Sequence, residues 1–274
     1  MSPPGSQAPA GRTSSLRHSR GPTYLAAVLG AVNWLIGFRS RTRRYPIIDL
    51  VRGLAVINMI AYHVLFMARQ FKLTSIDLDT AFWSWHRTLV PLTFLFLAGV
   101  GARLAAHDGT PWQRLAGHLA RLAVLAMAVT VCSSLLFPSR AILWGILHCA
   151  FIVLLAMFVA LRVRHGLILL VTFTVATLGA TLSSGSIAAA VARFEPATYL
   201  PQSLDPQPIL PLLLAASLGA VVMPLLIMLP AANWQPRARL ARLLTWIGQN
   251  SLTLYALHLP AIIGVMILIR GATP

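Results

Sequence analysis

Four histidines interrupt long apolar runs in this chain of 274 residues: His63, His86, His148 and His258. Imidazole ordinarily titrates near neutrality, so it can take up and return a proton without much retuning. Placing an ionisable group in hydrocarbon costs a few kcal/mol or more unless it is paired or wetted, and a chain that keeps several there puts them to use. General-base chemistry and proton relay are the two uses that fit. The stretch that gathers most such groups is Pro46 to Met67, PIIDLVRGLAVINMIAYHVLFM, which adds Asp49, Arg52, Asn58 and Tyr62 to His63. Asp49 and Arg52 lie three apart and share a helical face within salt-bridge reach. His63 follows Arg52 by eleven residues, about 16 Å along a helix axis, and eleven steps of 100° nearly restore the starting angle. One face can therefore carry Asp49, Arg52 and His63. The competing role for Asp49 and Arg52 is a structural clamp near the membrane edge. Gly53 leaves bare backbone where a neighbouring helix or a ligand can approach closely.

The elements that must hold these residues are membrane spans. Hydrophobic residues make up 57% of the chain, charged residues 10%, and the mean hydropathy is +0.75. These values predict an all-α, polytopic membrane helical bundle. The formal charge of +16 does not point to nucleic acid, because the arginines cluster in short segments between apolar runs. Cys132 and Cys149 fall in apolar runs without CxxC or His/Cys spacing, so neither a disulfide framework nor a metal site is expected.

Residues 1–22, rich in Pro, Gly, Ser and Arg, read as a disordered tail. Residues 23–44 hold an apolar run of about 16, short for a span, and then a basic linker; the expectation is a short interfacial helix. The membrane domain then occupies 45–274. Apolar runs at 46–68, 81–105, 119–137, 140–161, 166–183, 207–229 and 246–269 predict about seven spans. Arginines mark every second connection: Arg39 to Arg44, then Arg103, Arg114 and Arg121, then Arg162 and Arg164, then Arg237, Arg239 and Arg242. The positive-inside rule puts those loops and the amino end in the cytoplasm and the carboxyl end outside. Arginine so outnumbers lysine, with Lys72 alone, that a GC-rich bacterial genome is expected; the expected home is then the bacterial cytoplasmic (inner) membrane. On this topology the four histidines converge on the outer half, while Asp49, Arg52, Gln249 and Asn250 lie toward the inner half. Gly99 and Gly101 are expected at close helix crossings. His107, His118 and His165 are expected to be solvated.

Four segments, IDLVRGLAVINMIAYH, FLFLAGV, WGILH and GQNSLTLYALHLP, follow one another over roughly residues 45–268. In order and spacing they resemble the bacterial membrane proteins related to heparan-alpha-glucosaminide N-acetyltransferase, a branch of the transmembrane acyltransferases. That resemblance implies transfer of an acetyl group from cytoplasmic acetyl-CoA to an amino sugar or glycan hydroxyl on the opposite face. It maps the DxxRG pattern onto Asp49 and Arg52, the polar end of that helix onto His63, the GILH histidine onto His148, and the last-helix histidine onto His258. The usual GRHSL reads GQNSL here, so Gln249 and Asn250 replace a cationic pair.

The chemistry so implied needs a base, for which His63, His86, His148 and His258 are the candidates. It needs donors facing an oxyanion or the acceptor, for which Asn58, Tyr62, Gln249 and Asn250 are the candidates. The phosphates of acetyl-CoA, the donor, would be drawn to Arg52 (with Asp49), Arg103, Arg114 and Arg121. The expected partners are the bilayer, acetyl-CoA and a sugar or glycan, with a homo-oligomer compatible. A proton-coupled transporter and a non-catalytic scaffold of the same fold are the alternatives.

Overall fold

The structure, a computed structural model, describes residues 44–136, 141–183 and 209–272. The expected tail at 1–22 and interfacial helix at 23–38 lie outside the described residues. What is described is all α: α1 (Pro46–Gln70), α2 (Ala81–His107), α3 (Trp112–Leu136), α4 (Ile146–Ala160), α5 (Gly166–Ser183), α6 (Ile209–Met228), α7 (Arg239–Gln249) and α8 (Ser251–Ala272), with a short 3-10 turn at Pro230–Asn233. Pro46 starts α1 because its fixed φ suits the first helical position and its missing N–H is not needed there.

Five of these helices, α1, α2, α3, α6 and α8, are long and apolar enough to cross a membrane, and α4 and α5 are shorter apolar helices. The chain is thus a multi-pass bundle, but its seven apolar runs are not seven equal spans. The fourth run loses its first residues to a non-helical segment at Ala141–Gly145, leaving 15 in α4; that is about 22 Å of helix against a hydrocarbon layer of about 30 Å. The seventh run is divided at Asn250. Its first residues belong to α7, an amphipathic helix carrying Arg239 and Arg242, and only α8 is a span. Lipid-facing positions stay apolar and exposed, as at Leu135, Met228 and Leu268.

Two close crossings set the frame. In lipid no hydrophobic force separates one apolar helix from another, so small residues that let backbones meet decide the pairing. α2 and α6 form the most extensive contact. A Cβ at Gly99 would strike the Ala216 carbonyl, and one at Gly219 would strike the Phe96 carbonyl. Gly101 takes no part, since a Cβ there meets nothing. α1 and α7 are the second pair: Gly53 abuts Leu244, and Gly248 abuts Asp49. A core of Leu95, Leu122, Val153, Met157, Leu212 and Ala216 ties α2, α3, α4 and α6 together. α8 joins α1 through a separate cluster, Met67, Ile262, Ile263 and Met266.

Candidate functional site

The division between these two clusters leaves a cavity of about 590 Å³, walled by α1, α2, α3, α8 and the segment entering α4. Tyr62, His63, His86, Arg87, Ser133 and His258 supply most of its polar groups. The His63 and His258 rings meet edge to face with centroids 4.8 Å apart. His63 Nδ1 lies 2.9 Å from the Met59 carbonyl, and His258 Nδ1 lies 2.6 Å from the Tyr255 carbonyl. A carbonyl can only accept, so in both rings Nδ1 carries the proton and Nε2 keeps a bare lone pair. His258 is 8% exposed, and its Nε2 is buried with no hydrogen-bond partner. Pro260, two residues on, lacks an N–H and deprives the Ala256 carbonyl of its ordinary helical donor. Ala256 also lines the cavity.

His86 joins from α2. Its Nε2 is 2.7 Å from Asn58 Oδ1, and its ring stacks on Tyr62 with centroids 5.5 Å apart. Asn58 Oδ1 is an acceptor, so His86 donates through Nε2 and its Nδ1 is the bare nitrogen. Trp83 approaches both rings, 6.1 Å from Tyr62 and 5.4 Å from His86.

His148 does not line the cavity, although its neighbours Gly145 and Ile146 do. Both of its ring nitrogens are engaged. Nδ1 accepts from the Gly145 N–H at 3.2 Å, which forces the proton onto Nε2, and Nε2 meets Thr130 Oγ1 at 3.1 Å. The Thr130 hydroxyl in turn donates to the Ile142 carbonyl at 2.9 Å. Ser133 Oγ accepts from the Ile142 N–H. These bonds fasten the non-helical segment before α4 onto α3. The histidine is therefore consumed by the loop that shortens α4, a placement the apolar run around it concealed.

Near the start of α1 and the end of α2 stands a cationic group. Arg52 Nη1 lies 3.1 Å from Asp49 Oδ1 and Arg44 Nη1 lies 3.9 Å from Asp49 Oδ2, so the buried Asp49 serves two arginines. Arg121 is buried in α3, and His118 stands within Coulombic range of both Arg121 and Arg52. His118, expected to be solvated, is half-buried. The reason is that α3 starts at Trp112 and not near 119; its first two turns are too polar to register as an apolar run. Arg103, near the carboxyl end of α2, has its Nε buried without a partner, whereas Arg114 is exposed. None of these arginines lines the cavity. Arg121 is one turn from the lining residue Leu125, about 6 Å, and Arg52 is two turns from Met59, about 10 Å.

Gln249 and Asn250 stand apart from the site. Gln249 is exposed at the end of α7, and Asn250 Nδ2 donates to the Trp246 carbonyl at 2.8 Å, closing that helix. They fill the joint between α7 and α8 because the chain must turn there. Among the described residues no three His, Cys, Asp or Glu side chains are placed to share a metal ion.

A family profile described as heparan-alpha-glucosaminide N-acetyltransferase, catalytic, matches residues 44–260. The chain belongs to that family. The match covers α1 through the first half of α8, including every residue of the cavity described above except those at its far end, Ile263, Gly264 and Ile267. Searches among curated proteins and among solved structures returned no match. At the level of the heparan-alpha-glucosaminide N-acetyltransferase family, this is a membrane acyltransferase that uses acetyl-CoA.

Proposed function

We propose that the chain moves an acetyl group from cytoplasmic acetyl-CoA to an amino sugar or glycan hydroxyl presented on the outer face, with His258 as general base. The observation that carries this reading is the His63–His258 pair, two touching imidazoles whose Nε2 lone pairs are both bare. The alternation of arginine-rich connections supports an inner-membrane orientation with the start of α1 inside and the end of α8 outside. In that orientation α4 and α5 complete seven crossings, at the cost of local thinning or burial against neighbours.

The acceptor nitrogen or oxygen attacks the thioester carbonyl carbon and gives its proton to His258 Nε2. The C–S bond breaks as the new C–N or C–O bond forms, and the coenzyme A thiolate leaves and takes up the proton that His258 then returns. His63 holds the His258 ring from its edge and offers a second lone pair. The stack of Tyr62 on His86 faces the acceptor, and the Asn58 amide, its oxygen held by His86, keeps its N–H groups to donate. His148 positions the α3–α4 connection and does not exchange protons with substrate. On the inner side, Arg52, Arg103 and Arg121 would hold the donor's phosphates, with Arg114 drawing them from solution. The buried, unpartnered Nε of Arg103 fits that use. Asp49 is occupied by Arg44 and Arg52 and orients them.

The test is incubation of the purified protein with acetyl-labelled coenzyme A, with and without glucosamine. Label appearing on the sugar supports the reading. Neither thioester cleavage nor transfer to glucosamine or to any glycan or glycolipid acceptor, from protein that remains folded, would overturn it.

A further inference from the structure

The cavity is built for something greasier than a free sugar. Beyond its few polar groups the wall is hydrocarbon, with Val90 and Phe94 from α2, Leu125 and Val129 from α3, and Leu259 and Ile263 from α8. Hydroxyls pressed against such a wall would lose their water without gaining partners, at a cost of about 1–3 kcal/mol each. The cavity also has a side opening. α3 packs chiefly on α4 and α8 chiefly on α1, and no extensive packing joins α3 to α8 among the described residues. Where the two helices face one another, Cys132 is exposed and Ile267 is 55% exposed, and a Cβ at Gly264 would meet nothing. A seam lined by apolar side chains and ending in the bilayer admits a hydrocarbon chain.

At the polar end stands Arg87, exposed on α2 and lining the same cavity. It lies six residues into the helix, about 9 Å from its outer end. No acidic side chain or hydrogen-bond acceptor meets it among the described residues. A guanidinium at that depth is costly unless an anion joins it, and its planar fork suits phosphate.

Apolar wall, side opening and unpaired cation together describe one amphiphile. Resting on the acyl-transfer reading, we infer that the acceptor is a phosphate-linked glycolipid. It enters between α3 and α8, its sugar rests at Tyr62, His63 and His258, its phosphate pairs with Arg87, and its chain lies along the seam past Gly264.

The experiment uses the full chain in nanodiscs of zwitterionic lipid and four probes: glucosamine joined through phosphate to a farnesyl chain, octyl glucosaminide, farnesyl phosphate and free glucosamine. Binding is read by native mass spectrometry and acetyl transfer by label from acetyl-CoA. The phosphoglycolipid should bind at least about tenfold more tightly than octyl glucosaminide or glucosamine, as a charge-assisted pair would give. Arg87→Gln should erase the advantage of the phosphate. Gly264→Trp, which fills open space and leaves the helix intact, should weaken the chain-bearing probes relative to free glucosamine. Equal binding of glucosamine and the phosphoglycolipid overturns the inference. So does farnesyl phosphate binding as tightly as the phosphoglycolipid, for then Arg87 holds an ordinary lipid headgroup. Transfer to free glucosamine at the phosphoglycolipid's rate keeps the acyl-transfer reading and sinks this one. The expected binding pattern with no transfer to any probe does the reverse.

Discussion

Replacing His258 by asparagine separates its two nitrogens. The asparagine Nδ2 takes the place of Nδ1 and can still donate to the Tyr255 carbonyl, while nothing remains where Nε2 held its lone pair. The fold should survive. The lost edge contact with the His63 ring is worth about 0.5–1.5 kcal/mol, a small part of the 5–15 kcal/mol that typically holds a domain together, so nearly all molecules stay folded. A positioned general base, by contrast, supplies about 10²- to 10⁴-fold in rate, or about 2.7–5.4 kcal/mol of barrier. Labelled acetyl transfer, measured beside thermal unfolding of the same preparation in detergent, should therefore fall by about a hundredfold or more with only a small shift in melting. Turnover within about threefold of the parent protein would remove His258 from the chemistry.

Other expectations follow from particular contacts. Gly53→Leu must force α1 and α7 apart, because its Cβ alone collides with the Leu244 carbonyl; a loss of about 1–3 kcal/mol or more is expected in unfolding, whereas Gly101→Ala, facing open space, should be neutral or slightly stabilising. His148→Ala strips partners from the Gly145 N–H and the Thr130 hydroxyl and should cost about 1–3 kcal/mol. What remains folded should turn over within about fivefold of the parent, and a loss as deep as that of His258→Asn would make His148 a catalytic residue after all. Arg103→Gln should raise KM for acetyl-CoA about tenfold or more with kcat little changed, the signature of a lost charge-assisted bond to the donor; an unchanged KM would place the phosphates elsewhere.

Much of the architecture was legible in the chain. Runs of apolar residues identify spans because burial in lipid is decided residue by residue, and Asp49 and Arg52, three apart on one helix, pair as local geometry demands. The same additive reading misses features that depend on partners in space. It extended the fourth span into Ala141–Gly145, which is held off the helix by His148, Thr130 and Ser133. It carried the last span through Asn250, where the chain turns so that Gly248 can abut α1. It also left His118 outside the bundle, because Arg114, His118 and Arg121 make the start of α3 look like a loop.

Sequence alone determined that imidazoles and arginines would be carried into a membrane, in what order and on which helices, since hydropathy and helical spacing are local quantities. Only the tertiary structure decided their company. His63 and His258 place their Nδ1 protons on carbonyls of their own helices, but which rings meet, and what the remaining nitrogens face, is set by helices distant in the chain. So His63 and His258 touch with their Nε2 atoms bare, His86 is tied to Asn58, and His148 is spent on a loop.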